Sequence, residues 1–293
     1  MVLVLQVLQI IAPVIILAGV GVAWVKLGLE YRVQFVTRLT MSLSVPALIF
    51  VALVKTEIEP QALRNTALAA LVSYGAVAAV IYALIRGARL DMRTYLAPLT
   101  FGNTGNLGLP LALFAFGGVG LDYAVIVFAI MAVLSFTIGV WVVSGLGSPK
   151  AAFKEPIVWA TLLGGIFLVQ GWTLPTWSMN TLELLGQIAI PVMLITLGVA
   201  MVRLHPGFIT RSIWLAAVKY IICVAAAWAV GTIFSLPPVA LAVLILQVST
   251  PVAVTSYMLA EKYKANSDQV AGLVMASTLM SIVAIPLILA FLV

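Results

Sequence analysis

From Thr94 to Gly145 the chain carries one charged side chain, Asp122. In soluble domains about one residue in four is charged, so a stretch of this length with a single charge does not make a soluble surface. The rest of the 293 residues continue the pattern: 64% are hydrophobic and 8% charged, and the mean hydropathy is +1.23. Such a chain belongs in a bilayer, where a spanning helix needs about 20 apolar residues. Charged or Gly/Pro-rich connectors divide it into ten apolar runs, at 4–25, 33–54, 62–86, 94–116, 121–145, 156–171, 179–202, 210–234, 238–260 and 268–292. The predicted fold class is an all-α polytopic membrane protein of ten transmembrane helices. The first run has neither a basic leader nor a small-residue cleavage site and reads as a membrane helix rather than a signal peptide.

The connectors set the orientation. Twelve Lys and Arg residues lie in the odd-numbered connectors and two, Lys55 and Arg64, in the even-numbered ones, while Lys219 falls inside the eighth run. The positive-inside rule then puts the odd connectors in the cytoplasm and both termini outside, in a plasma membrane or bacterial inner membrane. The net charge of +6 follows from this topology, and no nucleic-acid partner is needed to explain it.

The two halves of the chain resemble each other. Span two reads RLTMSLSVPALIFVALVKTEIEP and span seven ELLGQIAIPVMLITLGVAMVRLHP. Each has a mid-span proline, Pro46 or Pro191, expected to break or hinge the helix, and a second, Pro60 or Pro206, some 14 or 15 residues on. Pro110 in span four and Pro251 in span nine follow the mid-span prolines by 64 and 60 residues. A repeat of five spans inserts its second copy upside down. The expected organisation is a first repeat over 1–145, a cytoplasmic connector at 146–155 and an inverted repeat over 156–293, a pattern typical of transporters.

Spans four and nine each contain a stretch ill suited to a helix. FGNTGNLGLPL, at 101–111, holds three glycines and a proline, which cost about 1 and 3 kcal/mol respectively in a helix interior. Broken backbone in hydrocarbon survives only where protein or a water-filled cavity surrounds it, so the break faces inward. Gly105 and Gly108 allow close approach, Asn103, Thr104 and Asn106 offer polar groups, and Pro110 suits the first turn of a restarted helix. In LQVSTPVAVTSY, at 246–257, Thr250 reads as an N-cap and Pro251 as the first residue of the second half-helix. Gln247, Ser249, Thr255 and Ser256 add further polar groups. Two such restarts point positive helix ends into one midplane cavity, which suits an anion, while the carbonyls of the breaks would suit a cation such as sodium. Small residues also serve tight helix packing, but interruptions at matching repeat positions point to a transport site.

GNTGNLGLP, together with STPVAVTSYMLAEKY and STLMSIVAIPLILAF, resembles the auxin efflux carrier family, which includes bacterial malonate-type permeases and PIN-type plant carriers. The likeness runs over nearly the whole chain. It implies two inverted five-helix halves with spans four and nine crossing at the substrate site, a scaffold similar to that of the sodium–bile acid symporters. It also implies a carrier of small organic anions in which Asn103, Pro110, Pro251 and Gln247 match positions of the family's crossover. Spans one, two, six and seven would form a scaffold, often a homodimer, and spans three to five and eight to ten a transport domain moving as an elevator. The long hydrophilic loop of many plant carriers is missing, so regulation through that loop does not carry over.

Three residues at depth are candidates for a charge or coupling role. Lys219 could pair with a carboxylate or titrate, or it could snorkel to the cytoplasmic interface. Glu183, with Gln187 one turn deeper, reads first as a helix-start carboxylate favoured by the dipole. Cys223 is the only cysteine and His205, in a connector, the only histidine. They cannot supply a disulfide or a multi-ligand metal site, and no cofactor is expected. Neither HExxH nor GxxxxGK[ST] occurs, which argues against metalloprotease chemistry and ATP-driven transport. The leading reading is a secondary-active or facilitative transporter of small carboxylates, auxin-like or malonate-like. The alternatives are a sodium-coupled symporter of larger amphipathic anions and, remotely, an intramembrane hydrolase with Lys219 as base. Coupling to sodium, to protons or to neither stays open.

Overall fold

The computed structural model describes residues 2–145, 156–203 and 209–292; the connector 146–155 and the loop holding His205 and Pro206 lie outside the described residues. Every regular element among the described residues is helical. Two helices open the chain, α1 (Val2–Lys26) and α2 (Val33–Lys55), followed by α3 (Pro60–Gly87) and α4 (Met92–Thr100). The stretch Thr104–Val143 is divided at Gly117 into α5 (104–116) and α6 (118–143). Then come α7 (Pro156–Gln170), α8 (Thr176–Val202), α9 (Ile209–Ile233), α10 (Pro238–Val248), α11 (Val254–Lys262) and α12 (Ser267–Leu292). Among the described residues six stretches are long and apolar enough to cross a membrane: α2, α3, the α5–α6 pair, α8, α9 and α12; Ala12–Lys26 of α1, α7 and α10 are apolar but shorter.

Local chemistry explains the boundaries. Asp91 caps α4 by accepting from the Thr94 amide at 3.0 Å, satisfying one of the free donors of a helix start. α3 and α10 open on Pro60 and Pro238, where a missing N–H costs nothing. Gly117 separates α5 from α6 with φ 66° and ψ −155°, a conformation essentially restricted to glycine.

The mid-span prolines act differently from each other. In α2 the turn Thr40–Ser44 is widened, with the Val45 amide reaching back to the Thr40 carbonyl, just before Pro46. Proline cannot donate and its ring crowds the carbonyl four residues earlier, and the wide turn moves that carbonyl aside. Pro46 therefore leaves α2 continuous, a correction to the expected break. α8 does step, at Ile188, with helix on either side at Thr176–Gln187 and Ala189–Arg203, so Pro191 stands at the start of the second piece.

The helices pack in two sets. α1 lies along the second piece of α8, and α2 lies along α7 and the first piece of α8. The α1–α8 crossing is close enough that a Cβ added at Gly198 would meet the Ala18 carbonyl at 1.8 Å, and one at Gly21 the Ile195 carbonyl at 2.0 Å. Small residues let membrane helices approach in this way. In the second set α3 packs against α4, α5–α6 and α9, while α9 packs against α10 and α12. The guanidinium of Arg93 fastens one end of this set, donating to the carbonyls of Val143 at 3.1 Å and Tyr263 at 2.8 Å.

Candidate functional site

The two glycine- and proline-rich breaks meet. Gly102, after α4, pairs antiparallel with Val252, after α10, and the Asn103 amide donates to the Pro251 carbonyl at 2.6 Å. A Cβ on Gly102 would lie 2.2 Å from Thr250 Oγ1 and 2.8 Å from its carbonyl oxygen, so the backbones touch only because residue 102 lacks a side chain. From the other side the Ser277 hydroxyl, on α12, accepts from the Val252 amide at 2.9 Å. The backbone groups that the breaks strip from their helices are thus rebonded within protein, as hydrocarbon demands.

The restarts differ in detail from the sequence reading. Thr250 does not cap α11: its hydroxyl donates backwards to the Gln247 carbonyl at 2.8 Å, as Ser249 donates to Ile245 at 2.6 Å. Both close the carbonyl end of α10, and Ala253, not Thr250, stands at the N-cap of α11. Pro251 is therefore in the extended crossing rather than in the first turn. α5 restarts at Thr104, with the Leu107 and Gly108 amides both reaching the Asn103 carbonyl. Pro110 follows this widened turn instead of opening the helix, the same accommodation as at Pro46.

Both restarted helices begin at one cavity of about 40 Å³, lined by Asn103, Gly105 and Asn106 from α5's start and by Ala253, Thr255 and Ser256 from α11's. Its apolar wall includes Met41 of α2 and Phe101, Phe128, Met131 and Phe136. Gly105 is held between Phe128 and Met193 of α8, which a Cβ would meet at 3.1 and 3.4 Å. A larger recess of about 490 Å³ is lined by Arg32 and Gln34 at the start of α2 and by Val254, Tyr257, Met258 and Glu261 of α11.

Several buried polar atoms here have no hydrogen-bond partner among the described residues: Asn103 Nδ2, Thr104 Oγ1, Thr100 Oγ1 and both amide atoms of Gln247. Gln247 is fully buried and presses on the backbone of Gly108, where a Cβ would stand 2.1 Å from Oε1. Orphaned polar groups cost about 1–3 kcal/mol each, and folds carry them chiefly where a ligand or strain is involved.

The structure brings together Asn103, Thr104, Gly105, Asn106, Gly108, Gln247, Ser249, Thr250, Pro251, Thr255 and Ser256. It places Glu183 and Gln187 elsewhere. Glu183 forms an ion contact with Lys55 at the far end of α2, which replaces the expected free helix-start carboxylate, and Gln187 is exposed at the α8 step. Lys219 is 1% exposed on α9, and its Nζ donates to Cys223 Sγ at 3.6 Å. Sequence reasoning missed Ser277, Met41, Met193 and the phenylalanine wall.

Residues 142–289, just over half of the chain, match a family described as membrane transport protein. The match includes the span-nine break and α12 and leaves GNTGNLGLP outside it. A protein of Methanothermobacter thermautotrophicus described as an uncharacterized transporter is 28% identical over 192 residues, which cover 63% of this chain and 63% of that relative.

Proposed function

The chain belongs to the membrane transport protein family, that of the auxin efflux carriers, and on that premise we propose that it carries small organic anions, auxin-like or malonate-like carboxylates, by alternating access at the crossing of α4–α5 with α10–α11. The observation that carries this reading is the convergence of two helix starts and the orphaned Asn103 amide on one cavity. The first turns of both helices present unbonded N–H groups and positive dipole ends, a ready-made anion site. Asn103, Asn106, Thr255 and Ser256 supply directed donors beside them.

The packing favours an inverted repeat of five spans, ten passes in all, with both termini outside the cytoplasm. α1 lies on the second half's α8 while α2 lies on the second half's α7, a reciprocal exchange expected of a two-fold pseudo-symmetry in the membrane plane. In this reading α1, α2, α7 and α8 are the scaffold, the part through which a homodimer would form, and the other helices carry the crossing as an elevator. The 40 Å³ cavity holds about one water molecule. Substrate therefore enters only when the phenylalanine wall withdraws from Met41 and Met193, and the 490 Å³ recess is its cytoplasmic approach.

The test is a melting-temperature screen of the purified protein against acetate, benzoate, malonate and indole-3-acetate. A ligand at about 100 times its dissociation constant adds roughly 2.7 kcal/mol to the folded state. A carboxylate shift that disappears in Asn103→Ala supports the site. Shifts from neutral or cationic compounds alone would overturn the anion assignment.

A further inference from the structure

Lys219 is the one ammonium among the described residues that lies wholly inside the helix bundle. It is ten residues from Ile209 and fourteen from Ile233, yet it reaches away from the nearer helix end, toward Cys223 one turn farther in. A snorkelling lysine turns the other way, toward water. The ion pairs among the described residues are Arg32–Glu30 and Lys55–Glu183, so no carboxylate of those residues neutralises it. A buried cation without a counter-charge is strongly disfavoured, and buried charges are retained where they are paired in use.

A hydrogen-bonded relay connects its helix to the crossing. Tyr220, the next residue, donates to the Ser277 carbonyl at 3.0 Å, and the Ser277 hydroxyl holds the Val252 amide of the crossing itself. α9 is thus keyed to the crossing by hydrogen bonds.

We propose that Lys219 is the resident counter-charge of the transport site: a buried ammonium on the helix keyed to the crossing that neutralises the bound carboxylate, so that the carrier loaded with a monocarboxylate crosses the membrane without net charge and needs no co-transported sodium ion. This rests on the anion reading above. It turns the uncompensated lysine into a device for making the site prefer an anion, since a positive charge in a poorly screened interior acts over distances longer than a hydrogen bond. It also accounts for the lack of a carboxylate near Lys219 among the described residues, because a resident acid would cancel the attraction.

The experiment compares wild type, Lys219→Gln and Lys219→Arg for binding of acetate, benzoate, malonate and indole-3-acetate in sodium and in choline buffer. Whichever probe binds wild type is expected to do so equally in both buffers, to lose about tenfold or more in affinity in Lys219→Gln, and to regain most of it in Lys219→Arg. Unchanged affinity in a natively melting Lys219→Gln overturns the counter-charge and leaves the anion site standing, as does binding that requires sodium in wild type. Failure of all four probes to bind wild type overturns the anion reading itself, and this inference with it. If Lys219→Gln does not fold, wild type decides: in proteoliposomes with the bound monocarboxylate on both sides, the exchange rate is expected to ignore an imposed potassium diffusion potential. An exchange rate that changes severalfold over about 100 mV means that the loaded carrier is charged, and overturns the proposal.

Discussion

The Asn103 amide donates to the Pro251 carbonyl over 2.6 Å, and this one bond joins the interruptions of two helices from opposite halves of the chain. Proline is a natural acceptor partner, because a residue with no N–H is free of any ladder of its own. Asn103 meanwhile keeps its side chain free of the crossing and turned to the cavity. Backbone and side chain of one residue thus divide the work between holding the fold and lining the site.

That division makes Asn103→Ala a binding mutant rather than a folding mutant. The backbone bond survives and an orphaned amide is removed, so stability is expected to stay within about 1 kcal/mol of wild type. Carboxylate affinity is expected to fall about tenfold or more, one directed hydrogen bond to a charged group being worth roughly 1.5–3 kcal/mol. Melting temperature and binding, measured on the same preparation, check both.

Gly102→Ala should do the reverse. Its Cβ would press into Thr250 at 2.2 Å, and with backbone on both sides the crossing has to separate. A loss of about 1–3 kcal/mol or more is expected, as for overpacking elsewhere. Gly75→Ala is the control: a Cβ there meets nothing within 4 Å, and alanine in mid-helix gains up to about 1 kcal/mol.

Gln247→Leu is expected to raise the melting temperature while lowering carboxylate binding. It exchanges two unbonded polar atoms in a fully buried position for apolar ones of similar bulk, a change that is neutral or stabilising by itself. Gain of stability with loss of binding is the mark of a residue kept for function. If both properties fall, Gln247 is a packing residue.

Glu183→Gln should barely matter. Its partner Lys55 has a half-exposed side chain, and such pairs are worth about 0–1 kcal/mol. Transport by this variant at the wild-type rate would remove Glu183 from the coupling candidates; a lost pH dependence would restore it.

The meeting of the two breaks was legible in the sequence because glycine, asparagine and proline in the middle of an apolar run have so few other uses. GNTGNLGLP and STPVAVTS are out of place in hydrocarbon unless they face one another, and they do. How each break is closed was not legible. A threonine before a proline reads as the cap of the helix to come, yet Thr250 turns its hydroxyl back onto Gln247, a choice fixed by the partner strand. Ser277 could not be distinguished from other small residues of α12, since its role depends on the Val252 amide delivered to it from elsewhere. Nor could Met41, Met193 or Phe128 be picked out, because a helix apolar all round does not announce its inner face. Lys219 was conspicuous as a charge, but its direction came only with the position of Cys223.

The pairing of Gly102 with Val252 also dictates the order in which the molecule can be finished. When α4 and α5 leave the ribosome, the groups that will bind Asn103 and Gly102 have not been made. At about 5–20 residues per second the intervening stretch takes on the order of ten seconds to synthesise. For that interval the first break needs shelter from lipid, in the insertion machinery or beside water. The first half alone is therefore not a stable unit, and the protein matures as a whole, late, when α10 and α11 arrive to complete the break between α4 and α5.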